Sequence, residues 1–393
     1  MSAAAHSEAA ARSFATGDLG DEAVRAAWSS FRWPRADADL DFVRTLIAAS
    51  DHSHEPYAAV VGNETRADAM LLGRIETVPM TATIGYASVL NTRLRALTVV
   101  LGGIQVRDER AIAPLLRIVA DSLSDGAFDV VLIPSVPVGS PLHDAVRALA
   151  PATRRAHPPD VALHRRLRLP ESYDAFLAGL GKSTREGVKR YSKKLEREYG
   201  DRLSVDVLTG SDDVDRIFTE VEAIAAKTYQ RGLGVALADD ARTRALVGLG
   251  LERGWYRVWL LALDGVPVAF WPGYAYGGVF SIGTPGYDPA FGNLRVGTYL
   301  QMRMIEDLCA SDDVELLDFG AGDAEYKRRF ANEESLEEEM AVFAPRFRPM
   351  AVNGVRSALA GASHGARSLL RRLGVEDAVR RRLRARAARS AGS

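Results

Sequence analysis

The chain has 393 residues, 47% hydrophobic and 26% charged, which is too long for one ordinary core and suits two. Lys and Arg number 50 against 51 Asp and Glu, and the formal net charge of −1 excludes a surface coated for bulk nucleic-acid binding, though not a local basic patch. The single cysteine, Cys309, cannot close an intramolecular disulfide, no run reaches the ~18 apolar residues of a membrane span, and no basic start leads into an apolar stretch, so the chain is expected in the cytoplasm.

Residues 1–20 are rich in Ala and Ser and are expected to be disordered. Apolar patterning then predicts a helix over 40–49, strands over 57–62, 69–76 and 94–103, a helix over 111–123, an apolar strand over 128–136 and a short helix from Pro141. A second pass follows: a strand over 164–169, one or two helices over 171–200, a strand over 203–209 and a helix over 212–231. Asp264-Gly265 between two apolar runs marks a hairpin. A strand over 279–288, a helix over 296–308, a strand over 314–320 and a helix from Glu325 complete it. The order strand, strand, strand, helix, strand, helix thus occurs twice. It predicts an α/β (α+β) fold of two halves, residues 21–160 and 161–349, each a mixed, mostly antiparallel sheet flanked by helices. Residues 350–393 carry many arginines against only Glu376 and Asp377, with leucines and valines near helical spacing. They read as a basic amphipathic helical tail, suited to an anionic membrane surface, an acidic partner or RNA, or else packed on its own domain against the acidic run Glu333, Glu334, Glu337, Glu338 and Glu339.

The stretch VELLDFGAGDAEYKRRF, residues 314–330, combines a buried strand, a turn at Gly320 and Gly322, and a helix. Strand ends that feed a turn and a helix are where such folds place chemistry. Asp323, Tyr326 and Lys327 stand at i, i+3 and i+4 and would share one helix face; the same triplet also reads as an Asp at a helix start followed by a solvated Lys. In FGNLRVGTYL, Arg295, Val296, Gly297 and Thr298 open a helix directly after a strand, a pattern that suits a phosphate on bare helix amides and equally an ordinary turn. Around TPGYDP, a splayed strand near Ile282, Thr284 and Gly286 would leave amides free to polarise an acyl carbonyl. Tyr229 and Arg231 in KTYQRGLG, with Tyr287 and Asp318, are the acceptor-binding candidates. The helix GKSTREGVKRYSKKLE is locally basic and reads as a phosphate-facing or a solvated helix. No Cys/His set has metal-binding spacing, so no metal is expected. The seven histidines fall outside these segments, which argues against a histidine-centred mechanism; His52 and His54 are kept as contributors to a cleft.

The pieces YDAFLAGLGKSTREGVKRYSKKLE, TYQRG, WLLALDGVPVAF, GYDPAF, RVG and LDFGAGDAEYKRRF, in that order over residues 172–329, resemble the GNAT-fold acyltransferases of the cellulose- and exopolysaccharide-biosynthesis type, relatives of the Fem aminoacyl ligases. The resemblance implies two GNAT-like halves, the first degenerate, and a carrier pyrophosphate at Arg295, Gly297 and Thr298. It also implies that Tyr326 protonates the departing thiolate. Asp323 would then be a base or position Lys327, and Lys327 would hold a phosphate or the acceptor. Arg295-Val296-Gly297-Thr298 departs from the family's Arg/Gln-x-x-Gly-x-Gly/Ala, so an acyl carrier protein stands beside acyl-CoA as donor. The implied reaction moves an acyl group to an amine or hydroxyl, such as a sugar or cell-envelope precursor. Beside it stand two rivals: a Fem-type transferase using aminoacyl-tRNA, and a non-catalytic scaffold on a membrane polysaccharide machine.

Overall fold

Strand β1 (Arg12–Thr16) opens the fold, inside the stretch whose composition predicts disorder; it is held by antiparallel pairing with a strand some fifty residues on, which composition does not register. Helices α1 (Glu22–Ser29) and α2 (Leu40–Ala48) begin where the Asp21 and Asp39 carboxylates accept first-turn amides. Strands β2 (Glu55–Gly62), β3 (Ala67–Ile84) and β4 (Ala87–Val106) follow, then helix α3 (Ile112–Asp125), strand β5 (Val130–Pro137), helix α4 (Pro141–Leu149) and strand β6 (Asp160–Arg168). The second half contains helices α5 (Tyr173–Gly179) and α6 (Lys182–Tyr199), strand β7 (Leu203–Leu208), and helices α7 (Val214–Ala225) and α8 (Ala241–Glu252). Then come strands β8 (Tyr256–Leu263), β9 (Val266–Tyr276), β10 (Gly278–Ile282) and β11 (Gly286–Tyr287), helix α9 (Val296–Cys309), strand β12 (Val314–Ala321), helix α10 (Glu325–Phe330), strand β13 (Glu333–Phe343) and helix α11 (Phe347–Arg372). This computed structural model describes residues 12–50, 54–63, 66–84, 87–227 and 237–372.

The echo between the halves is topological. Strands β1 to β4 run antiparallel and β4 then pairs in parallel with β5 after the α3 crossover; β7 to β10 run antiparallel and β10 pairs in parallel with β12 after the α9 crossover. Asp264 and Gly265, both at positive φ, make the β8–β9 turn as the Asp-Gly signal requires. The expectation of one sheet per half needs amendment, because the halves exchange their last strands. Strand β6 lies past the expected boundary at residue 160, yet it completes the first half's order of elements as β13 completes the second's; β6 lies against β12, β13 lies against β5, and β6 and β13 pair with each other. The result is one 13-stranded mixed sheet with helices on both faces.

The exchange explains why so acidic a segment as β13 can be a strand. Glu333, Glu334 and Glu337 meet Arg168, Arg165 and Arg166 of β6 at 2.7, 2.8 and 2.6 Å, and Glu338 meets His143 at 3.0 Å. Glu333, Glu334, Glu337 and Glu338 are therefore matched by β6 and α4, and most arginines of the basic tail lie outside the described residues. The start of α11 packs on the first half: Val352 is buried with Met80, Leu94 and Phe343, and Asn353 donates to the carbonyls of Thr153 and Arg155 at 2.9 Å. Among the described residues no helix is long and apolar enough to cross a membrane.

Candidate active site

Parallel pairing between β10 and β12 stops at Ser281 and Asp318, and the chain leaves β10 to add β11 to β9. Gly286 is required there, since a Cβ would stand 2.6 Å from the Phe270 ring. Asp288 then caps the turn by accepting from Ala290 at 3.0 Å and meets Lys227 at 2.8 Å, a contact that holds its carboxyl below the usual range. Arg295 enters α9 at φ 58°, left-handed for a non-glycine residue, a strain that recurs at ligand sites. No side chain caps α9, so its first-turn amides, at Val296, Gly297 and Thr298, lack helical partners. Trp271 Nε1 donates to the Gly297 carbonyl at 3.1 Å and ties this helix end to β9.

A cavity of about 320 Å³ opens at this point, between the Gly286–Tyr287 strand, the start of α9 and the start of α10. Arg295, Val296, Gly297, Thr298, Tyr287 and Tyr326 all line it. A Cβ on Gly297 would approach the Tyr287 ring to 3.3 Å, so a larger residue would press into the cavity wall. The Tyr326 ring is held edge-on by Trp271 and Phe319, at centroid distances of 5.4 and 6.1 Å. Gln301, one turn into α9, is 1% exposed, lines the cavity, and has no hydrogen-bond partner for its Nε2.

Other candidates fall elsewhere. Asp323 precedes α10, after which Ala324 is extended, so the expected shared helix face does not form. Its carboxylate sits against Arg165 and Arg328 and is held below the usual range, by Arg165 first, which makes it a poor proton acceptor. Lys327 is buried and donates to the carbonyls of Ala321 at 2.6 Å and Gly320 at 3.3 Å; burial lowers its pKa, and it staples the turn from beneath instead of facing a ligand. Ile282 and Thr284 lie outside the cavity lining, and the Gly283 amide between them already donates to the Pro272 carbonyl at 2.8 Å. Tyr229, Arg231 and His52 lie outside the described residues. His54 pairs with Glu76 at 3.3 Å, on the first half.

Asp318 belongs to a buried network and not to the cavity lining. It accepts from His164 Nε2 at 2.6 Å and from the Gly320 amide at 2.7 Å, with Arg35 at 3.2 Å. Burial opposes its charge, but the His164 hydrogen bond and charge, with Arg35 and the Gly320 amide, outweigh that and hold it at about 2. Glu337, 2.9 Å from His164 Nδ1 but outside hydrogen-bond geometry, is likewise carried against burial to about 2 by His164 and Arg166. For His164, burial disfavours the charge and the two carboxylates override it, so its pKa rises. Sequence patterning sets His164 aside because it stands 154 residues from Asp318, and no local motif joins them.

Residues 182–328 match the family model described as acetyltransferase (GNAT) domain. The match spans the second half from α6 to α10 and supports a transferase. A conserved protein of unknown function from Bacteroides thetaiotaomicron VPI-5482 superposes with a TM-score of 0.51 at 14% identity, over 83% of this chain and 97% of its own. FemX superposes with a TM-score of 0.55 at 11% identity, over 79% and 93%. Identities this low speak to the fold alone. No curated protein matches the sequence. The cavity lies within the matched residues of the GNAT domain, with α9, Tyr287 and Tyr326 all inside them.

Proposed function

We infer that the chain moves an acyl group from a thioester donor to an amine. The observation that carries this reading is the cavity whose one wall is the uncapped, glycine-opened start of α9 and whose other wall is Tyr326. The α9 amides and Arg295 suit the phosphates of an acyl-CoA or of a phosphopantetheine arm on a carrier protein. The acceptor nitrogen attacks the acyl carbon, the C–S bond of the tetrahedral adduct breaks, and the sulfur takes the Tyr326 phenolic proton. The nitrogen then releases its extra proton to water, and the phenolate is reprotonated from water. No carboxylate or imidazole is among the described residues that line the cavity. This favours a neutral amine, which attacks without a base, over a sugar or polysaccharide hydroxyl, which needs one.

The test is thermal stability with acetyl-CoA, longer acyl-CoAs and free CoA. Ligand at about 100 Kd should add about 2.7 kcal/mol, and Gly297→Leu, which fills the cavity against Tyr287, should abolish the shift while leaving the apo protein folded. No shift with any CoA would overturn a free acyl-CoA donor and turn the reading to a carrier-protein donor or to aminoacyl-tRNA on the exposed cations of α6. Peripheral membrane contact through the tail is a separate proposal, supported by its arginines and by Phe347, 91% exposed at the start of α11. It predicts that the full chain sediments with anionic vesicles and that a chain ending at Arg372 does not; equal sedimentation would refute it.

A further inference from the structure

We propose that Trp271 is the positioning residue that sets the general acid Tyr326 against the donor seat at the start of α9. The inference rests on reading the cavity as an acyl-CoA site. It begins with one side chain that touches both working walls. Trp271 stands on β9 and lines the cavity. Its Nε1 donates to the Gly297 carbonyl, in the first turn of α9, at 3.1 Å. Its ring meets the Tyr326 ring edge-on, at a centroid distance of 5.4 Å and an interplanar angle of 86°. The two walls come from different helices, each entered from a different strand, and the indole bridges them from the sheet.

A buried indole N–H needs an acceptor, and that need alone would not single this one out. Trp259, its partner across the β8–β9 pairing, meets it with the Asp307 carboxylate at 2.6 Å. Gly297 is a different kind of partner. Its carbonyl has an intrahelical donor in the amide four residues on, so α9 does not need the indole in order to form. What the extra bond fixes is where the helix start lies relative to β9. Asp307 stands in the last turn of the same helix, so two neighbouring indoles fasten α9 to the sheet near both of its ends. Trp271 is itself held fast: it is 4% exposed and packed in the core that contains Trp259, Phe280 and Phe319. Phe319 also meets the Tyr326 ring edge-on, at 6.1 Å, which leaves the phenol little room to tilt.

The consequence for the reaction follows from this geometry. The N–H acts on the donor seat, the ring edge acts on the acid, and one rigid bicyclic group spans the two. A donor with its phosphates on the α9 amides has its sulfur placed by the length of its own arm. The phenol must then stand at that point, and an error near 1 Å in such a placement costs about 10²-fold in rate. Loss of the N–H leaves each wall intact and loosens only their separation. The effect therefore falls on the chemical step and not on donor binding. It also acts through the phenolic proton, so it disappears where there is none. The sequence context, an aromatic residue inside the apolar strand VPVAFWPGYAY, reads as core alone.

Replacing Trp271 by benzothienylalanine, which has sulfur in place of the indole N–H and keeps the fused rings, tests the role in the full chain. Acetyl-CoA with hydroxylamine as the probe acceptor gives kcat from released thiol, and calorimetry gives donor affinity. The replacement should lower kcat about tenfold and leave acetyl-CoA affinity within about twofold of the wild type. In a Tyr326→Phe background it should cost less than about twofold further, because the phenol through which it acts is gone. Equal losses in the two backgrounds, a matching loss of donor affinity, or an unchanged kcat would overturn the role and leave the donor reading standing. A wild type that releases no thiol from acetyl-CoA would instead sink the reading of Tyr326 as the acid, and the role of Trp271 with it.

Discussion

Tyr326→Phe is expected to lower kcat by about 10²–10³, leaving the dissociation constant of the donor within about twofold of the wild type. The variant removes one oxygen and keeps the ring. The edge-on packing against Trp271 and Phe319 survives, so folding stability should change little. On the proposed reading, donor affinity would come from the α9 amides and Arg295, which the substitution does not touch. What is lost is the proton for the departing sulfur. A thiolate leaves water at a moderate cost, so the loss sits at the lower end of general-acid effects, about 3–4 kcal/mol of barrier. Single-turnover kinetics separate the chemical step from binding. A fall in kcat below about threefold, or a matching fall in donor affinity, would make Tyr326 a packing residue. Asp323→Asn serves as the contrast: exposed and held between Arg165 and Arg328, it should change kcat by less than about threefold.

Asp318→Ala should cost about 3–5 kcal/mol of stability, read from the urea midpoint. The magnitude follows from burial. His164, Asp318 and Glu337 are 5, 6 and 4% exposed, and removing one carboxylate leaves His164 and Arg35 short of a counter-charge in a site that water hardly enters. A loss below about 1 kcal/mol would mean that the remaining Glu337 suffices. The same network sets a pH window. Asp318 and Glu337 have folded values of about 2, below their unfolded ones, so the stability they contribute is complete above about pH 5 and is lost as pH falls toward 2. His164 has a raised folded value, so its contribution is complete below about pH 6.5 and disappears as pH rises through that folded value. Stability should therefore peak between about pH 5 and 6.5, and His164→Gln should flatten the alkaline limb and also weaken the acid limb, because His164 helps hold both carboxylates at about 2.

The network also ties the two halves together. His164 and Arg166 stand on β6, Asp318 on β12, Glu337 on β13 and Arg35 ahead of α2. These are the strands that the halves exchange, so the ion pairs lie on the seam of the continuous sheet.

Local physics is legible in the sequence. The Asp-Gly turn requires two left-handed residues in a row, helix starts need an acceptor side chain, and a glycine after a strand admits a close approach. Each of those depends on neighbours along the chain. The alternation of helices and strands, the twofold echo and the segment holding Arg295, Gly297 and Tyr326 therefore follow from residue order alone. The acidic strand β13, the ordered strand β1 and the partners of His164, Lys327 and Asp323 do not. In each case the deciding contact comes from elsewhere in the fold: Arg165 from 158 residues away settles Asp323, Asp318 from 154 residues away settles His164, and the turn carbonyls of Gly320 and Ala321 settle Lys327. Spacing along a helix says which side chains share a face only where the helix exists, and α10 begins two residues after Asp323. Residue order thus specifies the parts of this protein and the helix start where a ligand would find bare amides. Which charges are already neutralised, and which remain free to meet a ligand, is settled in three dimensions, because burial and pairing are properties of the packed chain.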